Sequence, residues 1–578
     1  MTGKVLVLGH DSRAFLAVVR SLGRRGLVVH AGWCPPDAPA RRSRYIRVLH
    51  DLPPFSPEDF SWKEALKRLL EREHFDLLIP CEDPTLLPIR AYRAEFDPLV
   101  RLALPEEEAF EVALDKILSW ELAKQLGIPV PQGAVVRALP ELNGLGLRPP
   151  LVLKPRTTFR YPDLVNRHGV RTFPDLLSLR AYLERDGVQD AVLVQEFVPG
   201  IGVGVEVLAA RGEVLSAFQH RRVHEPLTGG GSSYRVSVSL DPQLLEAARA
   251  LMEALGYTGV AMVEFRVDPR TGRWVFLEIN GRFWGSLPLA VTCGADFPYY
   301  LYRLLVLGEH RFPQAYRVGV YARNLTLDLV WLREYTRACR SSQRPSLPSP
   351  LRVVGEFGNL VLLREHIDTL TLDDPAPGWA EISSIGRSLW AQVTGHLRRL
   401  SLRVAPVRCL ELLRLRRRFS SARSLLFVCR GNLCRSPFAE GYARRILPAH
   451  IRVRSAGTGA RDSALSPPEA VAAAAAFGVN LRGHRAARLS EALLAEADVV
   501  LVFDGTDLER IRQAFPRHAR KTFLLGLLNG GREVILPDPY GGGEERYRDV
   551  YGAIARALEC AARLVAASEP NSPREAIG

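Results

Sequence analysis

Leu425-Leu426-Phe427-Val428-Cys429-Arg430-Gly431-Asn432-Leu433-Cys434-Arg435-Ser436-Pro437 reads as a strand, a tight turn and the start of a helix. The apolar run Leu425 to Val428 suits a buried strand that aims Cys429 into the turn. Gly431 and Asn432 tolerate the left-handed backbone that a tight turn needs. Ser436 is an expected N-cap, and Pro437 fits a first helical turn, where a missing N–H costs nothing. A helix follows over Phe438 to Leu447, and Pro448 ends it. Loop N–H groups and a helix N-terminus then converge on one anion site. Such a field favours the thiolate form of a cysteine, which is the nucleophilic form. Arg435 has the planar fork to grip a phosphoryl group through two bonds. A phosphocysteine route also needs an acid for the leaving group. Asp538, in Leu536-Pro537-Asp538-Pro539-Tyr540-Gly541, supplies one. Taken singly, Cys429 reads as a buried core residue and Asp538 as an Asp-Pro turn; the ordered set points to chemistry.

With those residues in place, 424–568 resembles a low-molecular-weight protein-tyrosine phosphatase. The likeness covers Cys429 to Ser436, Arg454-Ser455-Ala456-Gly457-Thr458, Gly483 to Arg488, Ala497 to Val502 and Asp538-Pro539. It implies that Cys429 attacks, Arg435 binds phosphate, and Asp538 protonates the leaving group and then activates water. It also implies that Gly431, Asn432, Leu433, Cys434, Ser436, Ser455 and His484 form or support the phosphate loop. Cys434 matches the family's second loop cysteine, whose reversible disulfide with Cys429 protects the nucleophile. Related arsenate reductases need two further cysteines, and only Cys560 follows the loop helix. Related arginine phosphatases carry Thr where Leu433 stands, so Leu433 favours an aryl phosphate. Tyr540 is open to two readings, an aromatic wall for phosphotyrosine or a core residue. Bacterial members of the family oppose tyrosine kinases that control exopolysaccharide export, so the implied partner is a phosphotyrosine protein such as a bacterial tyrosine kinase.

The chain has 578 residues, 47% of them hydrophobic, enough for several domains with cores. No apolar stretch has transmembrane length, and the N-terminus lacks a signal-peptide pattern. Eight scattered cysteines without metal-ligand spacing suggest a reducing cytoplasm. The formal net charge is +14, yet only seven of the 77 cationic side chains are lysine. The excess is arginine, and no nucleic-acid partner is expected from it. Each surviving lysine therefore raises the question of a site.

Residues 1–100 open with Lys4-Val-Leu-Val-Leu, a helical pattern from Ala14 to Leu22, and Val28-Val29-His30. The alternation implies a small parallel α/β domain, without the glycine fingerprint of a dinucleotide site. Then come Asp115-Lys116, Leu151-Val-Leu-Lys154-Pro, Gln195-Glu196-Phe197-Val198-Pro-Gly, Met262-Val-Glu264 and Leu277-Glu278-Ile-Asn280-Gly-Arg282. Alternation along a strand puts Glu278 and Asn280 on one face. Two carboxylates and an amide on neighbouring strands are hard ligands suited to Mg²⁺, and the two lysines suit nucleotide phosphates.

That order resembles the ATP-grasp superfamily over residues 1–305. The resemblance implies ATP and Mg²⁺ as cofactors, Lys116 and Lys154 on phosphates, and Glu196, Phe197 and Val198 beside adenine. Glu264, Glu278 and Asn280 would hold the metal, and Arg282 would face the acyl phosphate. Glu278 to Ser286 is similar to the carboxylate–amine ligase subgroup, which implies small carboxylate and amine substrates. Pro155 to Gly169 lacks the usual glycine run; the Gly-rich stretch Thr228 to Ser233 reads as a substrate loop or a flexible linker.

The expected fold class is α/β throughout, in five segments. These are a pre-ATP-grasp α/β domain (1–100), an ATP-grasp α+β domain (101–305), an extension with a basic helical linker (306–420), a parallel-sheet phosphatase domain (421–568) and a tail (569–578). Residues 387–418 carry nine arginines against Glu411 alone. They read as a solvated helix pair packed on the ligase, broken by Pro406, or as a peripheral contact with an anionic membrane. Three functional readings stay open: a bifunctional phosphatase and ligase, a phosphatase with a regulatory ATP-binding domain, and a ligase with a phosphatase-like binding module.

Overall fold

The apolar run that follows Lys4 forms β1 (Lys4–Leu8) inside a parallel sheet with β2 (Val28–Gly32), β3 (Ile46–His50) and β4 (Leu77–Pro80), in the order β3-β2-β1-β4. The computed structural model describes residues 3–9, 12–164, 166–186, 190–226, 231–340, 347–362, 364–401, 405–529 and 534–566. Helix α1 (Ser12–Arg24) carries the chain from β1 to β2 and buries Phe15, Leu16, Val18, Val19 and Leu22 against the sheet. Asp115 caps α2 (Lys116–Gln125), its carboxylate accepting the Ile117 and Leu118 amides. Gly127, in the left-handed region at φ 70°, turns the chain away just beyond its end.

Two further sheets complete the first unit, residues 1–385. One is antiparallel, in the order β5 (Gly133–Val136), β8 (Val192–Glu196), β6 (Leu151–Pro155), β7 (Arg171–Phe173). The other has seven strands: β9 (Ile201–Ala210), β10 (Glu213–His224), β11 (Tyr234–Val238), β12 (Gly259–Val267), β13 (Trp274–Asn280), β14 (Tyr321–Arg323) and β15 (His366–Ile367). Its order is β13-β12-β9-β10-β11-β14-β15. Val205, Val207, Val263 and Phe265 pack one face onto helix Pro242–Ala254. The alternate residues Glu264, Glu278 and Asn280 lie on the other, with Glu264 opposite Glu278 and Met262 opposite Asn280.

The extension that opens the 306–420 segment belongs to the first unit. Its strands β14 and β15 finish the seven-stranded sheet, and helices α3 (Leu325–Cys339) and α4 (Pro350–Val361) pack through Trp331, Tyr335 and Val353. A buried ionic network holds them. Arg323 pairs with Asp328 and Glu365, and His224 meets Asp328 at 2.7 Å and Glu356 at 2.8 Å while stacking on Trp331. Burial opposes the His224 charge, but those two carboxylates outweigh it and raise its pKa.

The second unit, residues 386–578, is built on β16 (Ser424–Cys429). Its parallel sheet runs β17 (Arg452–Gly457), β16, β18 (Val499–Val502), β19 (Thr522–Leu524). Every residue of β16 is buried, so the strand delivers Cys429 from the middle of the core. Helix α5 (Ala405–Phe419) corrects the expected place of the basic stretch. Leu415 and Phe419 sink into the core of the second unit, so this part packs within that unit. Pro406 sits in the first turn of α5, where its missing N–H is harmless. Helices α6 (Arg435–Ile446), α7 (Gly505–Ala514) and α8 (Glu544–Ala566) complete the unit. Among the described residues no helix is long and apolar enough to cross a membrane. The tail 569–578 and residues 228–230 of the Gly-rich stretch lie outside the described residues.

Candidate active sites

In the second unit the chain leaves β16 at Cys429 and re-enters helix at Arg435. The cap position falls to Cys434, two residues before the expected Ser436, and its side chain makes no capping bond. Ser436 Oγ is spent elsewhere, 3.1 Å from Cys429 Sγ and donating to Ala456 O. Asn432 shapes the loop. Its φ is 53°, its amide N–H donates to Cys429 Sγ at 3.3 Å, and its Nδ2 donates to Ser436 and Ser455, each at 2.9 Å. Its Oδ1 accepts the Ala487 amide, and His484 Nε2 meets its carbonyl at 2.8 Å. Gly457 is required beside it, since a Cβ there would stand 2.9 Å from Arg430 O and Asn432 N.

Arg435 is 2% exposed and held from three sides. Nη1 donates to Asp504 Oδ2 at 2.7 Å and to Leu536 O at 3.1 Å. Nη2 lies 3.1 Å from Asp538 Oδ2 and 4.0 Å from Asp507 Oδ2. Among the described residues the buried Nε has no hydrogen-bond partner. The edge formed by Nε and Nη2 is thus the one left for an anion. Burial opposes the Arg435 charge, but Cys429, Asp538 and Asp504 outweigh it and raise its pKa. Burial, then the Asp504 charge, pushes Asp507 up.

Asp538 is 46% exposed and marks the open side of the site. Leu536 ties this segment to β18 through an amide bond to Phe503 O. Tyr540 is 63% exposed, which removes the core reading of that residue. Leu433 is half-buried against the core, next to Gly431. Cys434 is buried beside Tyr547, and burial pushes its thiol up to about 12. Sequence reasoning missed Asp504 and Asp507. Their signal was Asp504 at the end of an apolar run and before Gly505-Thr506, an N-cap pattern.

The first unit holds a cleft of about 520 Å³ lined by residues of the Asp83, Lys116, Arg156 to Tyr161 and Glu278 to Arg282 segments. Lys116 Nζ donates to Thr158 Oγ1 at 3.0 Å and lies 3.8 Å from Glu278 Oε2. Lys154 is buried, donates to Leu277 O at 2.9 Å, and has its pKa lowered to about 8 by burial, with Lys116 adding and Glu278 opposing. Burial pushes the Glu278 carboxyl up, but Lys116, Lys154, Arg222 and Arg282 together hold it below its usual range. Asn280 Nδ2 donates to Glu264 Oε1 at 3.2 Å. Arg282 is aimed by Asp83, which accepts from its Nε at 2.6 Å.

Asp83 and Arg222 were not expected from the sequence. Arg222 Nη2 donates to Glu264 Oε2 at 2.6 Å, and its residue type at the end of β10 gave no distinguishing signal. Glu196, Phe197 and Val198 are not among the residues that line the cleft. Glu196 instead holds Arg148, and Phe197 is 43% exposed. Among the described residues no group of three or more His, Cys, Asp or Glu forms a cage for a metal. Two carboxylates with one amide suit Mg²⁺ that shares the oxygens of a phosphate ligand.

Residues 424–569 match the family described as low molecular weight phosphotyrosine protein phosphatase. Residues 189–326 match the family described as ATP-grasp in the biosynthetic pathway with Ter operon. The phosphatase Wzb of Escherichia coli K12 is 35% identical over 133 residues, 23% of this chain and 88% of Wzb. Etp of the same strain is 35% identical over 138 residues, 24% of this chain and 90% of Etp. D-aspartate ligase of Enterococcus faecium is 24% identical over 301 residues, 48% of this chain and 70% of the ligase. The chain belongs to the low-molecular-weight protein-tyrosine phosphatase family through its second unit. Part of its first unit, residues 189–326, is similar to an ATP-grasp family.

Proposed function

We propose that the chain is a bifunctional enzyme. Its second unit hydrolyses phosphotyrosine in proteins, a bacterial tyrosine kinase among the suited partners. Its first unit activates a small carboxylate with ATP and joins it to an amine. The observation that carries the phosphatase reading is the convergence of Cys429 Sγ, the Asn432 amide and the Nε–Nη2 edge of Arg435 beside Asp538.

In this reading the Cys429 sulfur attacks phosphorus, the P–O bond to tyrosine breaks, and the Asp538 carboxylic acid gives its proton to the departing oxygen. Asp538 then takes a proton from water, the water oxygen attacks phosphorus, and the S–P bond breaks to release phosphate and the thiolate. Arg435 holds the phosphoryl oxygens through both steps. The exposed ring of Tyr540 suits a flat aryl group at the mouth.

In the ligase half, ATP supplies the phosphoryl group that turns a carboxylate into an acyl phosphate. Lys116 and Lys154 neutralise phosphate charge, Glu264, Glu278 and Asn280 hold Mg²⁺, and Arg282 faces the reacting group with Asp83 fixing its direction. Eight free cysteines suit a reducing cytoplasm. Turnover of p-nitrophenyl phosphate that survives Cys429→Ser would overturn the phosphatase half. ATP consumption across a panel of carboxylates and amines, with Glu278→Ala as control, tests the ligase half; turnover by that control equal to wild type would overturn it.

A further inference from the structure

Four large aliphatic side chains project from one strip of α4. Leu351 is 85% exposed, Val354 70%, Val361 81% and Leu362, at the C-cap, 61%. At about 100° per residue they share roughly a third of the helix circumference. The opposite side of α4 is apolar too, but it is covered: Val353 and Phe357 pack on Trp331 and Tyr335 of α3. Contiguous exposed aliphatic surface of this kind marks a contact site.

The charges of the same hairpin are sorted by depth. Three acids of this region turn inward: Asp328 holds His224, Ser233 and Arg323, Glu356 meets His224 at 2.8 Å, and the Glu365 side chain, fully buried, pairs with Arg323, while Glu334 on α3 is half-buried. Its basic residues Arg337, Arg340, Arg352 and Arg364 are exposed, with Arg352 also reaching Glu356 at 2.9 Å. The outer surface therefore presents aliphatic groups among cations. A second copy of this chain is a poor occupant, because it would bring the same arginines and a formal charge of +14.

We propose that the outer face of α4 docks on an anionic lipid bilayer, its aliphatic strip entering the interface and the arginines meeting lipid phosphates. This surface is distinct from the 387–418 stretch and independent of both proposed activities. The test is co-sedimentation of the full chain with phosphatidylglycerol–phosphatidylcholine vesicles and with phosphatidylcholine vesicles. Wild type pellets with the anionic vesicles only, and added salt releases it. Replacing Leu351, Val354, Val361 and Leu362 with Ser lowers the bound fraction about tenfold or more. Arg337→Glu, Arg340→Glu and Arg364→Glu each weaken binding about fivefold. Thermal melting and p-nitrophenyl phosphate turnover stay unchanged in all of them. Wild type left in the supernatant, or a serine variant that pellets like wild type, overturns the proposal. So does a wild-type dimer that the serine variant dissolves, since the strip would then cover a second copy.

Discussion

In the phosphatase unit one loop, Cys429 to Ser436, supplies nucleophile, anion cradle and arginine, and Asn432 fixes its shape with both ends of its amide. In the first unit the charged groups in and around the cleft come from Asp83, Lys116, Lys154, Arg222 and the β12–β13 pair, far apart in the chain. Charge differs as well. Arg435 stands among Asp504, Asp507 and Asp538, whereas in the first unit Lys116 and Arg282 line the cleft with Glu278 and Asp83, and Lys154 and the Arg222–Glu264 pair act from outside that lining. A local site keeps its frame when one chemical group is removed. A dispersed, charge-balanced site strands a partner whenever one member goes.

The largest expected effect is on the local site. Cys429→Ser should lower p-nitrophenyl phosphate turnover by about four orders of magnitude or more, with the melting temperature unchanged. Asp538→Ala should lower kcat for a phosphotyrosyl peptide by about 10²–10³-fold at similar KM. The dispersed site should answer differently. Glu278→Ala should weaken MgATP binding by about 10–100-fold by calorimetry and also lower the melting temperature, because Lys116 and Lys154 lose their counter-charge. A Glu278→Ala protein as stable as wild type would erase the contrast between the sites. Asn432→Ala tests the loop's frame and should cost about 3 kcal/mol in urea unfolding, as several buried partners lose a bond and a non-glycine residue stays at positive φ.

The smallest effect concerns pH. Folded Lys154 is charged only below about pH 8, while an ordinary lysine stays charged to 10.5. Between those values the unfolded chain binds more protons, so this group makes folding more favourable as pH rises. Affinity for nucleotide phosphate moves the other way and should fall by up to about tenfold from pH 7 to 9. Lys154→Arg should flatten that profile.

The same contrast governs what was legible in the sequence. The Cys429 loop is contiguous, so residue types and spacing carry its chemistry, down to the left-handed position at Asn432. Alternation put Glu278 and Asn280 on one face, while the register that sets Glu264 opposite Glu278 is visible only in the fold. Asp504 and Asp83 were hidden because only sheet topology brings them to Arg435 and Arg282. Ser436 looked like a cap because its hydroxyl's real partner, Cys429, depends on the folded loop. Strands β14 and β15, of three and two residues, are too short to show a period, so the region looked like a linker. The basic stretch hid Leu415 and Phe419 among arginines, and two apolar residues were enough to anchor it in the phosphatase core.

The most direct test of the central claim is an acid quench of full-length Asp538→Ala during turnover of a phosphotyrosyl peptide, followed by mass spectrometry. The account predicts a phosphoryl group on the Cys429 peptide, present only while substrate remains. An unmodified Cys429 peptide while phosphate release continues, or a phosphoryl group on another residue, would contradict it.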